Sequence, residues 1–512
     1  MIKILKRMDR KEWLQVLISL CFIVVQVWLD LKLPDYMSEI TTLTQTEGSA
    51  LSDIWLAGGK MLLCALGSLA SSVAVGFLAA RIAASFSRRL RSLLFAKVDS
   101  FSMEEIGRFS TDSLITRSTN DITQIQLLVT MGLQMIVKAP ITAVWAIFKI
   151  SGKGYEWTVA TGITVLILIA VLMVLMIFVL PKFRQMQTLT DNLNRVTREN
   201  LNGLRVVRAY NAEAYQEQKF EEANQKLMST QLFTNRSMAV LMPMMQTLLS
   251  GLTLAIYWIG ASLINNAAAM DKLVIFSNMV VFSSYAAQVI MSFMMMAVIF
   301  ILLPRASVSA RRINEVLDTE PTIADGTVTA GSPGLAGDVE FRNVSFRYPD
   351  ASEYVLKNIS FRAAKGQTVA FIGSTGSGKS TLISLVPRFY DATEGEILVD
   401  GVDVRAYTQE ALHDKIGYVP QKAVMFRGTV MSNVSYGENG AAEPRAEDVV
   451  SAVRIAQATE FVEQMEGQYE AEISQGGTNV SGGQRQRLAI ARAVCRKPEI
   501  YIFDDSFSAL DY

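Results

Sequence analysis

Val369-Ala370-Phe371-Ile372-Gly373-Ser374-Thr375-Gly376-Ser377-Gly378-Lys379-Ser380-Thr381 is an apolar run that breaks into a glycine-rich loop. The helical pattern Leu382 to Phe389 follows at once, so the stretch predicts a strand, a loop and a helix in that order. Glycines in such a loop let successive backbone N–H groups converge on phosphates, and the helix N-terminus adds the positive end of its dipole. The spacing G-x-x-x-x-G-K-S places Lys379 to reach the β- and γ-phosphates and Ser380 to offer a hydroxyl to Mg2+. Gly373, Ser374, Thr375, Gly376, Ser377, Gly378 and Thr381 are the remaining candidate contacts of the loop. Further along, the apolar run Tyr501-Ile502-Phe503-Asp504 ends in a carboxylate, which is how a buried strand delivers an acidic group to Mg2+ at its C-terminal edge.

Upstream of this region the chain has a different solvent. Of 512 residues 50% are hydrophobic and only 19% charged, with 48 Lys and Arg against 48 Asp and Glu. That composition excludes disorder, and a chain without charge excess lacks the clustered basic surface that nucleic acid requires. A bilayer core needs about 20 apolar residues per helix. Six stretches qualify: Trp13 to Leu33, Ile54 to Phe86, Gln126 to Ile150, Trp157 to Leu180, Met238 to Ile264, and Leu273 to Leu303. The first is too long for a cleavable leader and lacks a small-residue cleavage site. Lys3, Lys6, Arg7, Arg10 and Lys11 precede it, whereas the loop from Pro34 to Asp53 has acidic residues and no Lys or Arg. Arg81, Arg88, Arg89, Arg91 and Lys97 follow the second stretch, Lys182 and Arg184 the fourth, and Arg305, Arg311 and Arg312 the sixth. Basic residues mark the cytoplasmic side, so the N-terminus is expected inside, in a multi-pass protein of the cell membrane.

The two long inner connections, one with Phe109 to Arg117 and the other with Gly203 to Glu213, have helical periodicity and many charges. They are expected to extend the membrane helices into the cytosol and to dock there. A polar, Gly-rich stretch from Asp318 to Asp338 reads as a linker. The expected division is therefore 1–317 for the membrane domain, 318–338 for the linker and 339–512 for a nucleotide-binding domain. Cys21, Cys64 and Cys495 are too far apart for a readable disulfide framework or thiolate site and read as apolar packing residues.

Val480-Ser481-Gly482-Gly483-Gln484-Arg485-Gln486-Arg487, a short way before the acidic strand, resembles the signature motif of ATP-binding cassette (ABC) proteins. Tyr348 resembles the family's aromatic residue that stacks on adenine. Gln421, in Tyr418-Val419-Pro420-Gln421, resembles the glutamine that contacts Mg2+, and Ser508-Ala509-Leu510-Asp511 resembles the D-loop. Six spans ahead of one cassette resemble an ABC exporter half-transporter. The fold this implies is an α-helical six-span membrane domain followed by an α/β P-loop NTPase domain. The resemblance implies ATP and Mg2+ as ligands, with Ser380, Gln421 and Asp504 at the metal. It also implies that two cassettes dimerise head to tail, so that Ser481, Gly482, Gly483 and Gln484 complete the site of a partner chain. Six spans exclude a soluble DNA-repair ATPase.

The chain departs from the family pattern at Asp505, where efficient hydrolases carry Glu to orient or deprotonate the attacking water. One methylene less withdraws the carboxylate by about 1.5 Å, and misplacement of roughly 1 Å can cost on the order of 10²-fold in rate. Gln475, in Ile473-Ser474-Gln475-Gly476-Gly477, likewise replaces an acidic residue usual in the family, whereas the signature is intact apart from Val480 in place of Leu. A weak acidic end with a sound signature resembles the degenerate-site subunit of a heterodimeric multidrug exporter, whose partner supplies the missing Glu. A homodimer that hydrolyses slowly at both sites is the alternative, as is a regulatory subunit whose bound ATP is mainly structural. The family continues for several dozen residues past Tyr512, through a switch residue that is usually His, so a C-terminal part is expected to be missing. The only histidine, His413, is far from that position and reads as structural or exposed.

In the fifth and sixth stretches Met242, Met244, Met245, Met279, Met291, Met294, Met295 and Met296 accompany Phe276, Phe282, Tyr285 and Phe293. Methionine adapts to many apolar shapes, although three consecutive positions cannot all face one cavity. Asp30 and Lys138 lie inside apolar stretches, where ionisable groups face a partner or a wet cavity, and are expected to pair or to line the path. No acidic or basic set lines the helices as it would for a charged ligand, which points to an amphipathic drug-like compound as the transported substrate, with lipid or peptide export as alternatives.

Overall fold

The computed structural model describes residues 1–46, 49–151, 153–437 and 444–507. The D-loop positions Ser508 to Asp511 lie outside the described residues. Two compact units emerge: Met1–Phe95 with Ile115–Asp318, and Ala96–Leu114 with the chain from Thr319 onward.

Among the described residues the first unit has six helices long and apolar enough to span a membrane: Arg10–Gln45, Leu51–Asp99, Thr111–Ile150, Tyr155–Asn202, Glu213–Asn266, and Asp271–Met296 within a helix that runs from Ala269 to Asp318. Each encloses most or all of its expected apolar stretch, and the polar flanks of the second, fourth and fifth continue the same helix. The third is interrupted twice by π-helical turns, Arg117–Asp121 and Gly132–Val137. Such turns need partners for the displaced backbone and side chains. Arg117 donates to the Arg312 carbonyl and to Glu315, both at 2.8 Å, and Ser309 donates to Asp121 at 2.8 Å. The core between the helices holds Ile23, Val27, Trp157, Ile256, Phe282 and Tyr285, and Trp157 Nε1 donates to the Ile256 carbonyl at 3.1 Å.

Lys138 Nζ lies 3.1 Å from Asp30 Oδ2, and Ser68 donates to the other carboxylate oxygen. A second pair, which the sequence did not single out, accompanies the first. Lys149 Nζ lies 2.7 Å from Asp35 Oδ2, and Tyr285 donates to Asp35 Oδ1 at 2.6 Å. The two acids and two lysines neutralise one another, so the set offers no net charge to a substrate. The methionines divide: Met245 and Met279 are buried in the core, whereas Met242 is 68% exposed and Met291 half exposed. Cys495 is buried, while Cys21 and Cys64 are not, and all three thiols are free.

In the second unit, β1 (Val339–Phe346), β2 (Leu356–Ala363), β3 (Glu394–Val399) and β4 (Val402–Asp403) form an antiparallel sheet in the order β2-β1-β3-β4. Phe341, Val344 and Phe346 of β1 are buried, and the register shift between Phe341 and Val344 is accommodated by Asn343 at φ 49, a left-handed conformation that Asn tolerates. β5 (Ile416–Val419) and β8 (Ile500–Phe503) pair in parallel, and β6 (Gly428–Thr429) pairs with β7 (Glu472–Ile473). The segment read as a linker is stitched to this unit. Arg388 donates to the Ala324 carbonyl at 2.9 Å, Gly326 N–H to the Tyr407 carbonyl at 2.9 Å, and Gly337 N–H to Asp400 at 2.7 Å.

Of the two inner stretches, the first, Ala96–Leu114, clusters with the cassette, as docking requires. The second, with the short helix Leu204–Ala209, clusters with the membrane unit of its own chain instead. Two local expectations also change. Val369 to Ile372 forms no ladder, and Ile372 is 96% exposed. A parallel strand is held only by neighbours on its edges, and β5 and β8 pair with each other rather than with it. The helix expected from Leu382 to Phe389 runs over Lys379–Ser384, starting inside the loop and giving way to turns.

Candidate functional site

The parallel register assembles the site. Val419 stands opposite Phe503, so the ends of β5 and β8 lie side by side, and Asp504 N–H donates to the Val419 carbonyl at 3.0 Å. The residues just beyond each strand therefore share one edge, as parallel α/β sheets arrange their ligand sites. Gln421 follows β5 and Asp505 follows β8, and Gln421 Nε2 stands 3.4 Å from Asp505 Oδ2. Asp505 sits at φ 47, in the left-handed region that Asp enters more readily than most residues.

The glycine-rich loop approaches the same edge. Ser380 Oγ donates to Asp504 Oδ1 at 2.7 Å across 124 positions of sequence. Lys379 Nζ donates to the carbonyls of Gly373 and Ser374 at 2.7 and 2.8 Å. The turn depends on glycine at Gly378: its φ is +89, and a Cβ there would meet Leu356 Cδ2 at 2.9 Å. Gly376, at φ +83, is left-handed as well. Gly373 to Ser377 and Ser380 are exposed to solvent, as a loop that receives a large anion must be. A hydroxyl, a carboxylate and an amide oxygen are hard donors that suit Mg2+, which typically binds one or two carboxylates plus substrate phosphates. Among the described residues no group of three His, Cys, Asp or Glu side chains forms a dedicated metal cage.

Tyr348 is placed beside the loop by a cluster of rings. It packs edge-on against Phe346 at 5.0 Å and Tyr390 at 5.4 Å, and its hydroxyl lies 3.0 Å from Thr381 Oγ1. Tyr390 was not legible from the sequence, because it follows no motif and enters only through this packing. Ser481 caps the helix Gly482–Cys495, accepting from Gln484 N–H at 3.2 Å while its own N–H donates to Gln484 Oε1 at 2.8 Å. This capping box leaves Ser481 and Gly482 exposed at a 14-residue helix N-terminus, with Gly483 and Gln484 half-buried behind them. Behind the turn, Arg485 braces the carbonyls of Gly477 and Val480 at 3.0 and 2.8 Å. His413 is away from all of this, with Nε2 2.8 Å from the Pro387 carbonyl.

A six-span membrane domain followed by a P-loop domain with this edge geometry defines an ATP-driven membrane transporter. Residues 16–308 match the ABC transporter transmembrane region and residues 356–508 the ABC transporter domain, so the chain belongs to the ABC transporter family as a half-transporter with fused membrane and ATP-binding domains. It is therefore a multi-pass membrane protein whose cassette binds nucleotide and couples ATP hydrolysis to transport. It is 41% identical over 454 residues to an uncharacterized ABC transporter ATP-binding protein of Mycobacterium tuberculosis, covering 88% of this chain and 76% of that protein. An ATP-dependent lipid A-core flippase of Pseudomonas aeruginosa is 32% identical over 442 residues, covering 85% of this chain and 70% of that one. The structure of a bacterial Atm1-family ABC exporter with ATP bound shares the fold, with a TM-score of 0.76 at 23% identity over 98% of this chain and 87% of that chain.

Proposed function

We propose that this chain is one subunit of an ATP-driven exporter that works with a second, related half-transporter carrying Glu at the position of Asp505. The observation that carries the nucleotide part of the reading is the 2.7 Å contact between Ser380 and Asp504, which joins the end of the phosphate loop to the end of the acidic strand. In this reading Tyr348 stacks on adenine, and Gly373, Ser374, Thr375, Gly376, Ser377, Gly378, Lys379 and Thr381 hold the triphosphate. Ser380, Gln421 and Asp504 hold Mg2+, which when bound would offset the phosphate charge. Asp505 and Gln421 orient the attacking water, slowly because the Asp505 carboxylate is short. Ser481, Gly482, Gly483 and Gln484 present a helix N-terminus to the ATP of the partner chain, where their donors face the γ-phosphate.

The membrane domain over 1–317 carries an amphipathic drug-like compound or a lipid across the cell membrane, with the N-terminus and the cassette in the cytoplasm. The lipid option gains support from the flippase relative, and the internal neutralisation of Asp30, Asp35, Lys138 and Lys149 fits a substrate without strong net charge. A second reading, a regulatory subunit whose ATP is mainly structural, draws on the same short carboxylate at Asp505. Labelling with 8-azido-ATP, with and without Mg2+, tests the site in the purified complex. Ser380→Ala and Asp504→Asn should each cut Mg2+-dependent labelling of this chain by about tenfold or more, the usual cost of a lost metal-site partner. Labelling unchanged in both variants would end the reading.

A further inference from the structure

The inner-loop helix Met103–Phe109 begins with a capping box in which Glu105 Oε2 accepts from Ser102 N–H at 2.8 Å and from Ser102 Oγ at 2.6 Å. In a capping box that carboxylate serves its own helix and nothing more. Here the other oxygen, Oε1, accepts from the backbone N–H of Thr322 at 3.0 Å, 217 residues away, and Ser102 Oγ lies 3.1 Å from Thr322 Oγ1. Glu105 is 3% exposed, and among the described residues the groups that offset its burial are N–H and O–H donors. Burial raises its pKa, yet hydrogen bonds from Ser102 and Thr322 outweigh this and hold the carboxyl below its ordinary value.

The position of these two partners in the chain gives the contact its meaning. Ser102 comes just after the end of the second membrane helix at Asp99, and Thr322 just after the end of the sixth at Asp318. One buried carboxylate thus joins the loop between the second and third membrane helices to the segment that leads from the sixth into the cassette, both within the cassette unit. Beside it is a cavity of about 270 Å3 whose walls include Ser102, Glu104, Thr322, Phe346 and Tyr390. Phe346 and Tyr390 are the rings that pack against Tyr348.

We infer that Glu105 is a positioning residue that clasps the first inner loop to the linker beside the adenine-side rings, so that nucleotide-driven movement of the cassette reaches the second and sixth helices together. This rests on the exporter reading above. Without Glu105 the cassette still binds nucleotide, because no group that touches nucleotide is altered, but the two helices respond to it less readily.

The test uses the complex purified with its natural partner and placed in nanodiscs, with spin labels at the exposed positions Phe95 and Val308 on the second and sixth helices. Two quantities are measured separately: the affinity for ADP, and the ratio of the two distance populations at saturating ATP. Glu105→Ala should leave ADP affinity within about twofold while lowering that ratio about tenfold, the factor that one charge-assisted hydrogen bond supplies. Glu105→Gln, which keeps one acceptor oxygen, should fall between, as should Thr322→Ala, which keeps the backbone N–H but loses the hydroxyl beside Ser102. An unchanged population ratio in Glu105→Ala, or a comparable loss of ADP affinity, overturns the clasp. Absence of any ATP-driven distance change in the unaltered complex overturns the exporter reading, and the clasp with it.

Discussion

Replacing Asp505 by Glu lengthens by one methylene the carboxylate that stands 3.4 Å from Gln421 at the exposed edge of β5 and β8. The added reach is about 1.5 Å, and because misplacing a reacting group by roughly 1 Å costs on the order of 10²-fold, the same factor is available for recovery. One term opposes it. Asp505 occupies φ 47, a region costing an ordinary L-residue about 1–2 kcal/mol and Asp less. If Glu loses about 1 kcal/mol more than Asp there, roughly fivefold is forfeited, leaving a gain of about tenfold or more. The assay is single-turnover hydrolysis of radiolabelled ATP by the complex in a Ser481→Ala background, which under the proposed arrangement silences the site that this chain's signature completes. Hydrolysis that stays flat or declines would refute the argument that the short carboxylate limits this site. A rise in hydrolysis without a change in transport coupling would favour the regulatory reading.

Gly378→Ala places a Cβ 2.9 Å from Leu356 at a left-handed position, so ATP affinity should fall by about tenfold or more while the melting temperature of the complex changes little. Asp30→Asn leaves Lys138 without its counter-charge and should destabilise the complex by roughly 2–3 kcal/mol; adding Lys138→Met should restore most of that, and additive losses in thermal unfolding would show that the pair is not coupled. Glu105 is held below the ordinary value of 4.5, so its contribution is complete above about pH 4.5 and is lost as pH falls through the lower folded value. Thermal scans from pH 6 to pH 3 should therefore show a smaller acid-side decline in Glu105→Gln than in the parent, and identical slopes would contradict the assignment.

The fold was legible because bilayer thickness and phosphate chemistry each leave a strong mark: six long apolar stretches, and a glycine loop followed by Lys379 and Ser380. Ser380 and Asp504, both singled out in the sequence as candidate metal partners, do meet, although the stretch Val369 to Ile372 that leads to Ser380 forms no ladder with β5 and β8. Asp30 and Lys138 announced themselves as charges inside apolar runs. Asp35 and Lys149 did not, because near the ends of their stretches they resemble ordinary boundary residues. The π-helical turns at Arg117–Asp121 and Gly132–Val137 leave no periodic signal, since each shifts the helix by a single residue and is stabilised by partners on another helix. Glu105 and Thr322 could not be joined from sequence at all. The Ser102–Glu105 spacing marks a helix start, and only the folded chain shows that the second carboxylate oxygen faces the linker.

The asymmetric arrangement of sites is tested most directly by the subunit composition of the complex that carries this chain, purified from its own membrane and analysed by intact-complex mass spectrometry. A 1:1 assembly with a related half-transporter bearing Glu after its acidic strand is the predicted result. A homodimer of this chain would contradict it, because Asp505 would then have to serve both ATP sites.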